Sequence, residues 1–336
     1  MMNLKDIANL AGVSTATVSN VLNGNTGKVS AETKARIEKI IKEVDYKPNA
    51  MARSLAKRES RMIGIVVPYI GPEEDFLMNP YYAQMVASLE KEVRDRDYYV
   101  MLRCVPDCHQ VIPQLSSWNV DGAFFLGVME QDVHEICSAL DAPAVFLDTY
   151  TEEDGIVNVG LDDYRGGYLS ARYLIGKGHN KIALVCPDYN ESSVVKRRYL
   201  GFIKACEEAG INFNKDDIFR TNTDYDDAIN VGQDVALSKN KYTAIATMSD
   251  IVAFGLIEGV RQVGFNVPDD ISIIGFDNLP EGEFVTPKLT TISQDFREKA
   301  KEATKGMFEM IEGNKEYTLD AHLPVKLVER QSVKQI

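Results

Sequence analysis

Strand-like and helix-like segments alternate from Met62 to about residue 290, and this alternation constrains the fold more than any other feature. The apolar runs MIGIVV, AVFL, KIALVC, TAIAT and ISIIGF are separated by segments long enough for helices, such as YYAQMVASLEKEVRDRD. Strands that alternate with helices of about 10–15 residues build a parallel, doubly wound sheet. Because about 270 residues exceed what one such sheet needs, we expect an α/β body with two similar lobes.

The chain before this body predicts three short helices. The stretch NLKDIANLAGV has an apolar face with helical spacing, Asn3 as its N-cap and Gly12 as its terminator. Ser14 then caps a second helix at once, and two short helices around a brief break that contains Gly form a helix-turn-helix. Ser30 caps a third amphipathic helix. We therefore expect a helix-turn-helix head at residues 1–48.

The second helix of this head carries an unusual polar face. On a helical wheel, Ala16, Ser19 and Asn20 lie opposite the apolar side, with Thr15 and Thr17 at the flanks. A small, uncharged face can enter the major groove of DNA, where Asn can pair with adenine. The alternative is a purely structural helix pair whose exterior is rich in Ser and Thr.

Residues 49–60, NAMARSLAKRES, have helical propensity but form a segment too short to hold a helix alone in water. Leu55 shares a face with Met51, and Arg53 and other cations surround them. An apolar wedge among cations suits the minor groove, where Leu can open a base step. An ordinary exposed linker is the alternative interpretation.

The net charge of −13 hides an asymmetry along the chain. Residues 1–60 hold 10 Lys and Arg against 6 Asp and Glu, whereas the remainder holds 27 against 44. A basic head on an acidic body suggests that the head contacts a polyanion. No apolar run approaches the ~20 residues of a membrane helix. The odd number of cysteines and the lack of an N-terminal secretion signal favour a cytoplasmic protein.

Polar residues follow several predicted strands of the body. Asp148 comes after AVFL, Ser249 and Asp250 come after TAIAT, and Asp277 comes after ISIIGF. Arg198 lies in the helix after KIALVC. Ligands of doubly wound sheets bind at the carboxyl ends of the strands, so these residues are candidates for a binding site. For Asp277, an Asx turn in FDNLPEG is the alternative.

The motifs together resemble the lactose/galactose repressor family of bacterial transcription regulators. The resemblance covers nearly the whole chain and implies a hinge helix at residues 49–60 and a periplasmic-binding-protein-like body at 61–336. It implies an N-lobe of about 61–160 and 291–319, and a C-lobe of about 161–290 and 320–332. The segments that carry it are STATVSNVLNG, VSAETKARIEKIIKEVDYKPNAMARSL, GGYLSARYLIGKGHNKIALV, KRRYLGFIKACEEAG, VPDDISIIGFDN and TPKLTTISQDFR.

The resemblance also implies roles in DNA binding. Thr15, Ala16 and Asn20 stand at positions that read bases, and Leu55 stands at the position of the minor-groove wedge. Many members have Arg where this chain has Asn20, so no operator sequence is carried over. Symmetric operators need two heads, so we expect a homodimer on palindromic double-stranded DNA. The predicted DNA-contacting residues are Ser14, Thr15, Ala16, Thr17, Ser19, Asn20, Asn23, Tyr46, Asn49, Arg53 and Leu55.

An effector site between the lobes is implied as well. Ser249 replaces an Asn that is common in the family, so the hydrogen-bond pattern of the effector can differ here. We expect a sugar or a sugar derivative that switches operator affinity, with a purine or a sugar phosphate as alternatives. The predicted effector-binding residues are Tyr81, Tyr82, Asp148, Arg198, Tyr225, Ser249 and Asp277.

Two other classes of protein compete with a regulator. An enzyme is disfavoured because the chain has neither a phosphate-binding Gly loop nor a G-x-S-x-G elbow. The spacing of Cys104, Cys108 and His109 is unusual for a metal site, and no partner pair follows. A solute-binding protein is opposed by the basic head. We expect no catalysis, no metal and no cofactor apart from the effector, and no tetramer-forming coiled coil in the last residues.

Overall fold

The computed structural model describes residues 2–22, 27, 29–46, 59–68, 76–151, 153, 155–188, 193–314 and 316–336. The chain divides into two compact units, the first at residues 1–61 and the second at residues 62–336. In the described part of the chain, no helix has the length and apolar character needed to cross a membrane.

The first unit, the head, contains helices α1 (Leu4–Ala11), α2 (Thr15–Leu22) and α3 (Ala31–Glu43). Asn3 caps α1 in a reciprocal capping box with Asp6, and Gly12 ends the helix with a left-handed φ of 64°. The three helices enclose a small core built from both sides of the turn. Its buried residues are Ile7, Ala8, Ala11, Val18, Val21 and Ile37. The predicted helix-turn-helix is therefore confirmed.

The N-lobe of the second unit contains a six-stranded sheet with the order β11–β5–β4–β3–β1–β2, and every neighbouring pair is parallel. Its strands are β1 (Met62–Pro68), β2 (Tyr99–Val105), β3 (Gly122–Leu126), β4 (Ala144–Leu147), β5 (Val157–Leu161) and β11 (Leu319–Leu323). Its helices are α4 (Pro80–Arg94), α5 (Ile112–Ser117), α6 (Glu130–Ala139) and α11 (Phe296–Ile311).

The C-lobe has a second six-stranded sheet, with the order β12–β10–β9–β8–β6–β7. All its pairs are parallel except β12 with β10. Its strands are β6 (Ile182–Cys186), β7 (Ile218–Arg220), β8 (Ala244–Thr247), β9 (Ser272–Asp277), β10 (Thr290–Ser293) and β12 (Lys326–Val328). Its helices are α7 (Asp163–Gly176), α8 (Val194–Glu208), α9 (Tyr225–Ala236) and α10 (Asp250–Gln262).

The central strands are apolar along their whole length because helices cover both faces of each sheet. Strands β3, β5, β6 and β9 are buried at every residue. The two sheets, parallel in every pair except β12 with β10, confirm the predicted α/β class with a doubly wound, two-lobed body.

The chain crosses between the lobes three times, and two crossings fall a few residues later than the family resemblance implied. Strand β10 pairs with β9, so residues 291–293 belong to the C-lobe sheet rather than to the N-lobe. Strand β11 pairs with β5, so residues 320–323 extend the N-lobe sheet rather than the C-lobe. In both cases the partner strand determines the lobe, and a partner strand cannot be read from local sequence.

Candidate functional site

The carboxyl ends of strands from both sheets border a cleft between the lobes, with a cavity of about 270 Å³. The N-lobe contributes the start of α4 and the segments after β3 and β4. The C-lobe contributes the segments after β6, β7 and β8 and the last residue of β9. Six of the seven predicted effector-binding residues line it, and they are Tyr81, Tyr82, Asp148, Arg198, Ser249 and Asp277.

Among the described residues that line this cleft, Arg198 is the one with a positively charged side chain. Its Nε donates to Oδ1 of Asp163 at 2.7 Å, and its Nη1 donates to the carbonyl of Met248. The guanidinium lies 3.6 Å from the ring centroid of Phe276, which is a cation–π contact. Burial raises the pKa of Asp163 and Arg198 opposes that effect. The short charge-assisted geometry favours the ionised pair.

Asp277 is the last residue of β9, with an unusual φ of 124° and an exposure of only 3%. Its Oδ1 accepts a hydrogen bond from Nε2 of Gln294 at 2.7 Å, which is a tertiary contact. Burial raises the pKa of this carboxyl group, Arg198 lowers it, and Asp250 raises it further. A carboxyl group in this position can accept a hydrogen bond from a ligand hydroxyl, and can also donate one when protonated.

Asp148 follows β4 with a left-handed φ of 56°. Its carboxylate accepts hydrogen bonds from the hydroxyl of Tyr81 and from Nζ of Lys299, which lies 2.8 Å from Oδ1 and 2.9 Å from Oδ2. Burial and the neighbouring Asp148 raise the pKa of the Tyr81 phenol well above its usual range, so Tyr81 remains a hydrogen-bond donor.

Sequence reasoning missed Lys299 and Gln294. Lys299 is fully buried on α11, and its Nζ also donates to Oε1 of Gln294 at 2.8 Å. The sequence did contain a sign that Lys299 is buried, because it shares the apolar face of α11 with Phe296, Ala303 and other buried residues. A Lys on an apolar helix face needs a buried acceptor, although the sequence does not say which.

Ser249 and Asp250, which both follow β8, differ in their hydrogen bonds. Ser249 lines the cleft, and its Oγ is buried without a hydrogen-bond partner among the described residues. Asp250 instead accepts hydrogen bonds from Thr291 Oγ1 at 2.6 Å and from the Leu279 N–H at 2.8 Å. It therefore ties α10 to the segments after β9 and within β10. Ser249 offers the cleft a hydroxyl that a ligand can satisfy.

Tyr225 is the predicted effector-binding residue that does not line the cleft. It is the first residue of α9, and its side chain is 40% exposed. Thr223, with a left-handed φ of 65°, lines the cleft instead. The sharp turn before the N-cap Asp224 is a backbone feature that alignment of sequence motifs does not reveal.

A second cavity of about 440 Å³ lies beside the first crossing between the lobes. Tyr150 lines it, stacks on His322 with ring centroids 5.8 Å apart, and donates to Asp163 Oδ2 at 2.7 Å. Arg197 covers the Tyr150 ring at 5.0 Å. Asp163 thus contacts both Tyr150 of this cavity and Arg198 of the cleft.

In the head, α2 presents the polar face that the helical wheel predicted. Thr15, Ala16 and Asn20 are exposed and Val18 is fully buried. The Oγ of Ser14 accepts from the Thr17 N–H at 3.1 Å, so Ser14 caps α2. The face is free of charged side chains and suits approach to base edges.

The other predicted DNA-contacting residues divide into two groups. Ser19 and Thr17 are half-buried on α2, and Tyr46 packs against the head core. The remaining predicted positions lie outside the described residues, and they are Asn23, Asn49, Arg53 and Leu55. The predicted hinge helix at residues 49–60 lies almost wholly outside them too.

In the described part of the chain, no group of three or more His, Cys, Asp and Glu side chains is placed to hold a metal ion. The His109 nitrogens lie 3.5 Å from carboxylate oxygens of Asp132 and Glu135. Burial raises the pKa of the Cys108 thiol to about 12, with Asp132 and Asp107 adding to the effect.

Comparison with protein families matches both parts of the chain. Residues 3–49 match the family described as bacterial regulatory proteins, lacI family, and residues 171–333 match the periplasmic binding protein-like domain. The chain is 32% identical to the HTH-type transcriptional repressor PurR of Mannheimia succiniciproducens, with 100% of both chains covered. It is 33% identical to the regulator DegA of Bacillus subtilis, with 97% of this chain and 96% of DegA covered.

Solved structures agree with these relatives. The lac repressor dimer bound to operator and the anti-inducer ONPF matches with a TM-score of 0.86 and 26% identity, over 99% of both chains. A LacI family regulator from Enterococcus faecium with bound ribose has a TM-score of 0.72 and 27% identity. That match covers 82% of this chain and 99% of the other.

A helix-turn-helix head, followed along the chain by a two-lobed body with a cleft, defines the class of ligand-responsive DNA-binding transcription regulators. The match to the repressor PurR and the regulator DegA, at 32% and 33% identity over nearly the full length, assigns the chain within that class. The chain belongs to the LacI family of bacterial regulatory proteins.

Proposed function

We propose that this regulator represses genes for carbohydrate use by binding palindromic operator DNA as a homodimer. The uncharged polar face of α2 and the lac repressor dimer on its operator support the proposal. A twofold operator requires two heads related by twofold symmetry. Because operator DNA lies in the bacterial cytoplasm, we place the protein there, and we assign it no catalytic role.

The effector in this proposal is a small hydroxylated molecule, a sugar or a sugar derivative, bound in the cleft. One observation carries it: a guanidinium that only donates, a buried carboxyl group and a Ser249 hydroxyl with no partner among the described residues converge on a small cavity beside two tyrosine rings. Sugar hydroxyls both donate and accept hydrogen bonds, and aromatic rings pack on the apolar face of a sugar. The Enterococcus faecium regulator was solved with ribose.

A purine is the second candidate effector. Tyr81 and Tyr82 lie at the cleft with ring centroids 5.3 Å apart, and such rings can stack on a planar heterocycle. The relatives named PurR point in the same direction. The two candidates differ in hydroxyl content, so direct binding measurements separate them.

A thermal-shift screen of the full chain against sugars, sugar phosphates and purines tests the effector class. We expect a sugar to raise the Tm, and we expect Arg198→Ala and Asp277→Ala each to abolish this response. Calorimetry with the identified ligand provides the affinity. Unchanged affinity in both variants would show that the ligand binds elsewhere.

Operator selection from random duplexes tests the DNA half of the proposal. We expect the selected sites to be palindromic, and we expect Leu55→Ala to weaken specific binding strongly while nonspecific binding stays nearly intact. The wedge acts only where the duplex is kinked, whereas phosphate contacts form on any sequence. An equal loss of binding on operator and random DNA would count against a wedge role for Leu55.

A further inference from the structure

Lys299 links the N-lobe side and the C-lobe side of the effector cleft through buried hydrogen bonds. Its ammonium group is completely buried and contacts both oxygens of Asp148, at 2.8 and 2.9 Å, and Oε1 of Gln294 at 2.8 Å. Gln294 in turn donates to Asp277 at 2.7 Å. A continuous chain of hydrogen bonds therefore runs from Asp148 of the N-lobe to Asp277 of the C-lobe.

The direction of these hydrogen bonds follows from the chemistry of Lys299. An ammonium group only donates, so Gln294 must turn its carbonyl oxygen toward Lys299 and its NH₂ group toward Asp277. The Gln294 amide thereby occupies Oδ1 of Asp277.

Two cations beside the cleft are each paired with a carboxylate of the protein itself. Arg198 is paired with Asp163 and Lys299 is paired with Asp148, at 2.7 and 2.8 Å. Asp277 and Asp250 are further buried carboxyl groups beside these pairs. Each of these two cations therefore has a carboxylate partner within the protein, and neither is left unpaired for an anionic ligand.

We propose that Lys299 is a specificity-determining residue of the cleft: it neutralises Asp148 from within the protein, and the cleft therefore selects an uncharged ligand over an anionic one. This inference rests on the proposed effector cleft and goes further, because it excludes phosphorylated sugars and assigns the exclusion to one ion pair. Lys299 acts through Asp148 and Gln294, so it is a positioning residue rather than a direct ligand contact.

Either charge of the Lys299–Asp148 pair can be removed by itself in the full-length protein. Asp148→Asn leaves the charge of Lys299 uncompensated, and Lys299→Met leaves that of Asp148 uncompensated. The double variant Asp148→Asn/Lys299→Met restores neutrality with side chains of similar size. Lys301→Met is the matched control, because Lys301 lies on the same helix but is exposed and pairs with Glu298.

Small ions serve as probes, so the test does not require the natural effector. We expect Asp148→Asn to bind inorganic phosphate at least tenfold more tightly than the wild type does, measured by calorimetry against chloride at equal ionic strength. We expect Lys299→Met to show the same gain for methylammonium over sodium. The double variant and Lys301→Met should behave like the wild type toward both ions.

Several outcomes would overturn the proposal. Phosphate binding that is equal in the wild type and Asp148→Asn would show that the pair does not control charge selection. If neither single variant folds while the double variant does, the pair is a structural tie without a role in specificity. If one single variant fails to fold, the other still tests the proposal, with phosphate as the probe for Asp148→Asn and methylammonium as the probe for Lys299→Met.

A separate measurement distinguishes a failure of the proposed effector class from a failure of the proposed charge selection. Wild-type protein is titrated with ribose and with ribose 5-phosphate, and with other sugars alongside their phosphate esters. Every sugar that binds should do so at least tenfold more tightly than its ester. If no sugar binds, the proposed effector class fails while the ion-probe test stands, and tighter binding of an ester would overturn the inference.

Discussion

The guanidinium of Arg198 and the carboxylate of Asp163 form a buried ion pair, with 2.7 Å between Nε and Oδ1. Arg198 belongs to α8 and Asp163 begins α7, so the pair joins two helices of the C-lobe at the edge of the cleft. Tyr150, which follows β4 of the N-lobe, donates to the same carboxylate. The arginine that lines the cleft is therefore held by a group that both lobes contact.

Loss of one partner of this pair should be costly. Asp163→Ala leaves the charge of Arg198 buried without its counter-charge, and we expect a loss of about 3–5 kcal/mol in the free energy of unfolding. Asp163→Leu combined with Arg198→Met removes both charges and should recover most of that loss. Urea unfolding measures both. A double variant no more stable than Asp163→Ala would contradict this account.

The position of Arg198 also depends on close contact between α7 and α8. A Cβ added at Gly167 would lie 1.8 Å from the carbonyl oxygen of Arg198, whereas one added at Gly176 on the same helix meets nothing within 4 Å. We expect Gly167→Ala to cost about 1–3 kcal/mol and to weaken effector binding. Gly176→Ala should be neutral or stabilise by up to about 1 kcal/mol. If Gly167→Ala and Gly176→Ala change the Tm by the same amount, the close contact between the two helices is not supported.

Asp277 should make stability depend on pH. Burial raises its pKa in the folded state. The stability it contributes is therefore complete below the ordinary Asp value of about 4 and is lost as pH rises above it. Asp277→Asn removes that loss, so its unfolding free energy relative to wild type should increase by about 1 kcal/mol or more between pH 5 and pH 8.

Urea unfolding at a series of pH values measures this difference. Asp226→Asn, which removes an exposed carboxylate from α9, is the control and should run parallel to the wild type. A difference between Asp277→Asn and wild type that stays constant with pH would mean that Asp277 titrates normally.

Asn20 should set the base preference of the head. It is exposed on α2, and its amide can make a bidentate contact with adenine worth about 1–3 kcal/mol of discrimination. Binding-site selection with Asn20→Arg should move the preference toward guanine at one position of each half-site. Asn9→Arg adds the same charge to an exposed site on α1 and should leave the preference unchanged. If Asn20→Arg selects the wild-type sequence, Asn20 does not read a base.

The starts of α1, α2 and α3 were readable from the sequence because their signals are local. Asn3 and Ser14 cap helices through bonds to backbone groups two or three residues away, and the apolar spacing determines which face is buried. The uniformly apolar strands of a covered parallel sheet are equally local. The alternation of these elements was enough to predict the α/β class and to place Asp148, Ser249 and Asp277 at strand ends, whereas Tyr81 and Tyr82 were implied only by the family resemblance.

The tertiary structure alone decided which distant groups meet. Lys299 and Asp148 are 151 residues apart, and their contact depends on the strand order of the N-lobe sheet and on how α11 packs against it. The lobe to which β11 belongs depends in the same way on its pairing with β5. Thr223, rather than Tyr225, reaches the cleft because of one turn before α9. Local sequence carries propensity and periodicity, whereas partners across a sheet are chosen by the packing of the whole lobe.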